Sequence, residues 1–122
     1  RIEELKQLKS EKFDFARLIK LCEELNENYS KGNYLSVGMI GRSIINHVPP
    51  IFGKGSFDEV TKDYGTVSFR KSITHLNKSL RAIADNFLHS KIKKKESLPT
   101  KTQVNFSQDM DVLFAEIISL VE

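Results

Sequence analysis

Apolar residues recur between Phe69 and Phe87 at steps of 4, 3, 4, 3 and 4 residues, which is the spacing of one face of an α-helix. The residues of this stripe are Phe69, Ile73, Leu76, Leu80, Ile83 and Phe87. An apolar stripe of this length must be covered by other apolar surface, so the chain has to pack further elements against one long helix. We expect that helix to begin near Ser68, to continue past Ile92 and to fray in the lysine run beyond.

Four further segments show the helical period, and no segment alternates convincingly in the manner of a β-strand. Helices are predicted at about residues 14–30, 34–47, 56–64 and 107–121. Gly32 suits a left-handed C-cap after the first of these helices, and Pro49 with Pro50 ends the second. Ser56 and Glu59 match a capping box at the start of the third. The sequence therefore predicts an all-α bundle of about five helices.

Gly38 and Gly41 lie inside the second predicted helix, where each lowers the helix propensity by up to about 1 kcal/mol relative to alanine. Two glycines at such positions indicate that another backbone comes close. That close approach would occur either within the bundle or between two subunits.

At 122 residues the chain is long enough for one core but not for two. Residues 13–122 are assigned to a single α-helical domain, and residues 1–12 to a linker or the end of an upstream helix. A start at Arg1 rather than at methionine is typical of a piece of a longer protein. No apolar run approaches the roughly 18 residues that a membrane span needs, so we expect no membrane contact and a cytoplasmic location. The one cysteine, Cys22, lies among leucines, where a small buried hydrophobe is expected.

Positive charge is concentrated in residues 70–95, which carry eight lysines and arginines against one acid. Such an asymmetry permits a polyanionic partner. Lys91, Lys93, Lys94 and Lys95 are candidates for contacts to an RNA backbone, because phosphate contacts need charge rather than sequence. The alternative is a solvated helix C-terminus, where lysines interact favourably with the helix dipole.

Several familiar sites are absent from the sequence. There is no phosphate-binding loop and no dinucleotide fingerprint in a strand–helix context. His47, His75 and His89 are not spaced as a metal-binding pair on one helix turn. We therefore expect no metal and no cofactor.

One motif remains, in which Arg42 is followed after four residues by His47, just before the proline break. A histidine that titrates near neutrality suits proton transfer, and an arginine stays charged and can bind phosphate oxygens. The motif resembles the R-x(4–6)-H motif of the HEPN superfamily, small α-helical bundle domains that include many metal-independent ribonucleases of toxin–antitoxin and phage-defence systems. The resemblance implies that His47 is the general base or acid, that Arg42 clamps the phosphate and that Asn46 donates a supporting hydrogen bond. It also implies RNA as substrate, a homodimer, and an antitoxin or other protein partner.

Residues five apart on an ideal helix point about 140° away from each other. Arg42 and His47 can therefore converge only if the helix ends or distorts between them, or if two subunits bring their motifs together. The prolines at 49 and 50 permit the first arrangement, and the HEPN resemblance implies the second.

A second stretch, from Arg81 through Asn86 to His89, looks like the R…N-x-x-H ending of some HEPN-related domains. Arg81, Asp85 and His89 step by four residues and so form one polar stripe on a helix. Either Arg81 and His89 bind nucleic acid, or the stripe is a surface salt bridge with a histidine packed on it. For the whole chain, the alternative to an RNA-cleaving or RNA-binding domain is a non-catalytic helical module for dimerisation or partner docking within a larger protein.

Overall fold

The computed structural model describes residues 1–122, which form six α-helices and no β-strand. The helices are α1 (Ile2–Lys6), α2 (Ala16–Ser30), α3 (Tyr34–His47), α4 (Phe57–Asp63), α5 (Val67–Ile83) and α6 (Ser107–Val121). A 3₁₀ turn at Pro49–Phe52 follows α3, and a π-helical turn at Ala84–Leu88 follows α5. Five of the helices have seven residues or more, so the prediction of an all-α bundle of about five helices is confirmed.

Helices α2 and α3 form an antiparallel hairpin, and this helix pair has the most extensive packing in the fold. The turn between them depends on Gly32, whose φ of +77° is unfavourable for residues that carry a Cβ. Because the connection is so short, the first turn of α2 and the last turn of α3 lie at the same end of the hairpin. This arrangement decides what surrounds His47.

Helices α5 and α6 form a second antiparallel pair. Two contacts show their orientation. In the middle of α5, His75 Nδ1 lies 2.5 Å from Asp109 Oδ2 at the start of α6, and Tyr64, which precedes α5, donates from Oη to Glu116 Oε1 in the second half of α6 at 3.1 Å. The short helix α4 packs against α5, and α3 joins the two pairs through its contacts with α5 and the π turn. One core of 23 buried side chains runs through both pairs.

The two glycines of α3 face side chains of α5. A Cβ on Gly41 would lie 2.6 Å from Leu80 Cδ2, and one on Gly38 would lie 2.7 Å from Ile83 Cγ2. Both distances are too short for real contacts, so α3 approaches α5 this closely only because glycine stands at both positions. The sequence predicts a close approach here, but the glycines receive side chains rather than another backbone.

Residues 2–6 pack against α2 as helix α1, and Leu5 is fully buried in the core. The sequence assigns residues 1–12 to a linker or an upstream helix end, whereas the structure shows part of this segment contacting the bundle. No helix of the fold has the length and apolar character needed to cross a bilayer.

The capping box of α4 is formed with one change of partner. Ser56 Oγ accepts from the Glu59 backbone N–H at 3.2 Å, as predicted. The Glu59 carboxylate reaches the backbone N–H of Gly55, at 3.2 Å, rather than that of Ser56.

The prediction that the long helix continues past Ile92 is wrong. Regular α-helix ends at Ile83, and the π turn that follows is closed by a bond from His89 N–H to the carbonyl of Ala84. Beyond it, Ile92 is 94% exposed and reaches no core contact that would hold a helix. Like charges four apart, such as Lys91 and Lys95, also destabilise a helix. The segment is therefore irregular.

Candidate functional site

The side chain of His47 lies at the edge of a shallow surface depression between the first turns of α2 and the end of α3. We call this depression the His47 surface. It is lined by Arg17, Lys20, Leu21, Glu24, Ser43, Asn46 and His47. Six of the seven side chains are polar or charged, which suits a polar ligand rather than an apolar one.

Two effects lower the pKa of His47 below its ordinary value. Partial burial at the α2–α3 contact is the larger, because it penalises the charged imidazolium. The positive charge of Arg17 is the second. A histidine with a lowered pKa is neutral at neutral pH, so His47 has a lone pair available to accept a proton.

The cations on the His47 surface are not neutralised by partners within the chain. Arg17 and Lys20 are exposed and take part in none of the salt bridges of the structure. Glu24 is the one carboxylate of the surface. The side chain of Asn46 is exposed at the same place and makes no hydrogen bond within the chain, so its amide can serve a ligand.

Arg42 does not line the His47 surface. Helix α3 is regular through His47, so the break falls after the motif rather than inside it. The five-residue separation then directs the two side chains about 140° apart around the helix. Within one chain, the structure brings His47 together with Asn46 and with Arg17, and leaves Arg42 on another side.

The residues Arg81, Asp85 and His89 do not form the continuous polar stripe on a helix that their spacing predicts. Arg81 Nη2 donates to Asp58 Oδ1 at 3.0 Å, and Asn77 Nδ2 donates to the same oxygen at 2.7 Å. Arg81 is thus paired with α4 rather than with Asp85. Asp85 lies in the π turn, which changes the helical period before His89. The side chain of His89 is exposed and is not part of the His47 surface.

The lysines of the basic segment are exposed on irregular backbone. Lys91, Lys94 and Lys95 make no side-chain contact with an acid, and Glu96 accepts from the backbone N–H of Lys93 at 2.9 Å. These side chains can reach an extended polyanion. Since the helix ends before them, their interpretation as a helix C-terminus that favours the dipole does not apply.

Sequence reasoning missed the residues of α2 that complete the His47 surface, above all Arg17. The signal was present in the short turn at Gly32, because a hairpin with so short a turn places the start of one helix beside the end of the other. An arginine in the first turn of α2 is therefore expected near the last turn of α3.

No group of three or more His, Cys, Asp or Glu side chains lies close enough together to hold a metal ion. Comparison of the chain with protein-family models, with curated proteins and with solved structures found no match. The function proposed below therefore depends on the chemistry of the His47 surface and on the motif at Arg42 and His47.

Proposed function

We propose that this chain is an HEPN-like RNA-binding domain that cleaves RNA at the His47 surface without a metal ion, in a defence or stress response. One observation carries the proposal: a histidine whose pKa is lowered lies beside an arginine that has no partner in the chain. Such a pair supplies the two functions that RNA transesterification needs, a base near neutrality and a fixed positive charge at the phosphate.

The proposed reaction uses the 2′-hydroxyl of the RNA as nucleophile. Neutral His47 accepts the proton of that hydroxyl, the 2′-oxygen forms a bond to phosphorus, and the bond from phosphorus to the 5′-oxygen breaks. The leaving 5′-oxygen takes a proton from solvent. The products are a 2′,3′-cyclic phosphate and a 5′-hydroxyl, and His47 returns its proton to water to complete the cycle.

Arg17 and Lys20 bind the phosphate as negative charge builds on its oxygens. The guanidinium can donate two parallel hydrogen bonds to phosphate, and the ammonium adds a point charge. Asn46 donates a further hydrogen bond from the α3 side. The lysine segment at residues 91–95, together with Arg81 and His89, provides a separate set of contacts to the RNA backbone. Ile83 packs at Gly38, so the chain beyond α5 leaves the bundle near the start of α3, away from His47.

The deciding experiment incubates the purified domain with single-stranded RNA in EDTA. We expect cleavage by the wild type, and a loss of at least about 100-fold for His47→Gln and for Arg17→Gln, the size that a general base or an oxyanion donor contributes. His75→Gln and Lys31→Gln are the matched controls, since both residues are exposed and neither lines the His47 surface. Intact RNA with the wild type, or equal cleavage by all variants, would exclude the proposed site.

The same assay assigns the role of Arg42. Arg42 lies on another side of α3 from the His47 of its own chain. It can therefore act only with the His47 of a second copy, across a dimer interface. Loss of cleavage in Arg42→Ala that is restored by mixing with His47→Gln protein indicates a composite site between two copies. Full activity of Arg42→Ala indicates that Arg17 holds the phosphate within one chain.

A second candidate function is that of a dimerisation or partner-docking module. The observation that favours it is the exposed apolar surface of α3, where Met39 is 58% exposed and Leu35 is 41% exposed. The two residues are one helical turn apart and therefore lie on the same face. Sedimentation equilibrium of wild type and Met39→Glu tests this function: a dimer that dissociates on substitution supports it, and a monomeric wild type contradicts self-association.

A further inference from the structure

Two large apolar side chains are exposed among the lysines that follow the π turn. Ile92 is 94% exposed and Leu98 is 72% exposed, which are the highest exposures of any large apolar side chain in the chain. Single exposed apolar side chains are common on protein surfaces. These two, however, lie in one irregular segment that also contains the lysines of residues 91–95.

Both ends of this segment lie beside the first half of α3. At its start, the π turn contacts α3. At its end, Pro99 is buried, and Leu98 lines one shallow depression together with Leu35 of α3. Leu35 is itself 41% exposed. Ile92 and the lysines therefore lie on a connection whose two ends are held near an exposed apolar side chain of α3.

The charge of this part of the surface is positive and almost unopposed. Residues 91–101 contain five lysines and one acid, Glu96. None of the five lysines takes part in a salt bridge of the structure. The carboxylate of Glu96 accepts from a backbone N–H of the segment, at Lys93, rather than from a lysine ammonium.

Two partly buried tyrosines connect the last of these lysines, Lys101, to the exposed leucines. Lys101 Nζ lies 5.8 Å from the ring centroid of Tyr29, and the Tyr29 and Tyr34 centroids are 6.1 Å apart. Tyr34 lines the same depression as Leu35 and Leu98. Tyrosine is enriched where bilayer hydrocarbon meets water, because its ring is apolar and its hydroxyl is polar.

These side chains form one surface, which we call the basic apolar surface. Its members are Leu35, Ile92, Leu98, Lys91, Lys93, Lys94, Lys95 and Lys101. A bilayer that contains anionic lipid binds proteins through both of its properties, since it attracts positive charge and accepts apolar side chains at the boundary between headgroups and acyl chains.

Other partners match the basic apolar surface less well. RNA would use the lysines but neither Ile92 nor Leu98, because phosphate contacts need charge and base stacking needs aromatic rings. A second copy related by a two-fold axis presents the same patch, so its lysines would lie against these lysines and repel them.

We propose that the basic apolar surface binds the surface of a bilayer that contains anionic lipid. Ile92 and Leu98 enter the headgroup region, and the lysines bind the lipid phosphates. The sequence predicts no membrane contact because no segment can span a bilayer, but a peripheral contact needs no span. RNA and a bilayer exclude each other at the lysines. The inference does not depend on RNA cleavage, since the basic apolar surface shares no residue with the His47 surface.

The test sediments the domain with vesicles of equal parts phosphatidylcholine and phosphatidylserine, and with vesicles of phosphatidylcholine alone. We expect binding to the anionic vesicles to be at least about tenfold tighter, because each lysine near an anionic surface contributes on the order of fivefold. Absence of binding to the anionic vesicles, or equal binding to both kinds, would overturn the proposal.

A double variant separates insertion of apolar side chains from attraction of charge alone. Ile92→Ser with Leu98→Ser should weaken binding to anionic vesicles at least about tenfold and leave the affinity for single-stranded RNA unchanged. Val67→Ser with Leu120→Ser is the matched control, since both residues are exposed apolar side chains at the far end of α5 and α6.

Three results of this comparison would contradict membrane binding by the basic apolar surface. They are vesicle binding by the Ile92 and Leu98 variant equal to that of the wild type, equal losses in both double variants, and an equal loss of RNA affinity. Vesicle binding by a wild type that binds no RNA would support this inference and contradict the proposed function alone.

A fluorescent reporter locates the contact. The chain contains no tryptophan, so Ile92→Trp introduces a single indole. With anionic vesicles its emission should shift to the blue and be quenched by brominated acyl chains, whereas Val67→Trp should show neither effect. An unchanged emission on bound vesicles, or an equal response of Val67→Trp, contradicts the proposal. A wild type that dimerises through Ile92 and Leu98 without vesicles would assign the surface to a second copy and overturn it.

Discussion

His47 lies where the end of α3 meets the start of α2, and both of its principal surroundings disfavour the imidazolium. Partial burial removes water from the ring, and Arg17 adds a positive charge nearby. The net result is a lowered pKa.

We predict that NMR titration of the His47 ring gives a pKa below the usual value of about 6.5 for histidine. In Arg17→Gln the pKa should rise toward that value without reaching it, because burial, the larger cause, remains. A His47 pKa that does not change in Arg17→Gln would show that Arg17 has no electrostatic effect on the ring.

The lowered pKa of His47 also has a consequence for stability. Below pH about 6.5 the unfolded chain binds a proton at His47 that the folded chain resists, so the free energy of unfolding falls with falling pH until the folded-state pKa is passed. His47→Gln removes this contribution. Denaturant unfolding from neutral to acidic pH should therefore show the wild type losing stability relative to His47→Gln as the pH falls. A constant difference between the two proteins would contradict the lowered pKa.

Substitution of Gly38 by alanine tests how closely α3 packs on α5, because it adds one carbon atom at their contact. A Cβ at this position would lie 2.7 Å from Ile83 Cγ2, a methyl group fixed directly to the β-carbon and unable to swing away. Overpacking costs about 1–3 kcal/mol, against a gain of about 1 kcal/mol in helix propensity for alanine. Gly38→Ala is therefore expected to lower the free energy of unfolding by up to about 2 kcal/mol. Ile83→Leu moves the branch and should restore part of the loss, whereas a Gly38→Ala protein more stable than wild type would contradict this packing.

At the scale of helices, two hydrogen bonds to the carboxylate of Asp58 join α5 to α4. Asn77 is the only buried polar side chain, at 8% exposure, and it donates to Asp58, which also accepts from Arg81. The hydrogen bond from Asn77 is the largest cause of the lowered pKa of Asp58, and Arg81 contributes further. The contact therefore holds Asp58 in its ionised form.

Asn77→Ala should lower the free energy of unfolding by about 1–3 kcal/mol, because it removes a hydrogen bond to a charged group. Arg81→Ala should cost no more than about 1 kcal/mol, since this ion pair is exposed. Chemical denaturation of the two variants measures which substitution lowers the free energy of unfolding more. A larger loss for Arg81→Ala than for Asn77→Ala would mean that the ion pair, rather than the amide, holds α4 in place.

The lysine segment should contribute charge to RNA binding without contributing to the fold. Removal of one lysine–phosphate interaction lowers the slope of log affinity against log salt by about 0.7 for a single strand. We therefore expect a reduced salt dependence and unchanged thermal stability when Lys91, Lys93, Lys94 and Lys95 are all replaced by Gln. Titration of a fluorescent single-stranded RNA at several salt concentrations measures the slope.

The matched control removes four positive charges elsewhere on the exposed surface. Its positions are Lys9, Lys12, Lys31 and Lys62. Equal slopes for the two quadruple variants would indicate a response to net charge alone, without a role for the segment at residues 91–95.

The helices could be predicted because residues three and four apart in sequence share one helix face, so a buried face appears as a regular apolar pattern, as from Phe69 to Phe87. The end of α5 is not predictable in this way. It depends on the π turn that contacts α3 and on the absence of any core contact for Ile92. For the same reason, the partner of Arg81 is Asp58, 23 residues away, rather than its neighbour on the helix.

For the molecule as a whole, the α2–α3 hairpin has different chemistry at its two ends. The end with the helix break carries the cationic, water-exposed His47 surface, and the end with the Gly32 turn carries the basic apolar surface. The sequence motif indicates His47 and Asn46, but Arg17 belongs to the same surface only because the hairpin folds back on itself. The assembled surface is therefore a property of the tertiary structure.

The most direct test of the central claim is the pH dependence of RNA cleavage in EDTA under single-turnover conditions, with the product ends identified. We predict a rate that rises with pH and levels off above an inflection at the NMR-measured pKa of His47, with products ending in a 2′,3′-cyclic phosphate and a 5′-hydroxyl. His47→Gln should abolish this cleavage, while His75→Gln leaves the profile unchanged. A wild type that leaves the RNA intact, or a rate with no inflection at the His47 pKa, would contradict the account.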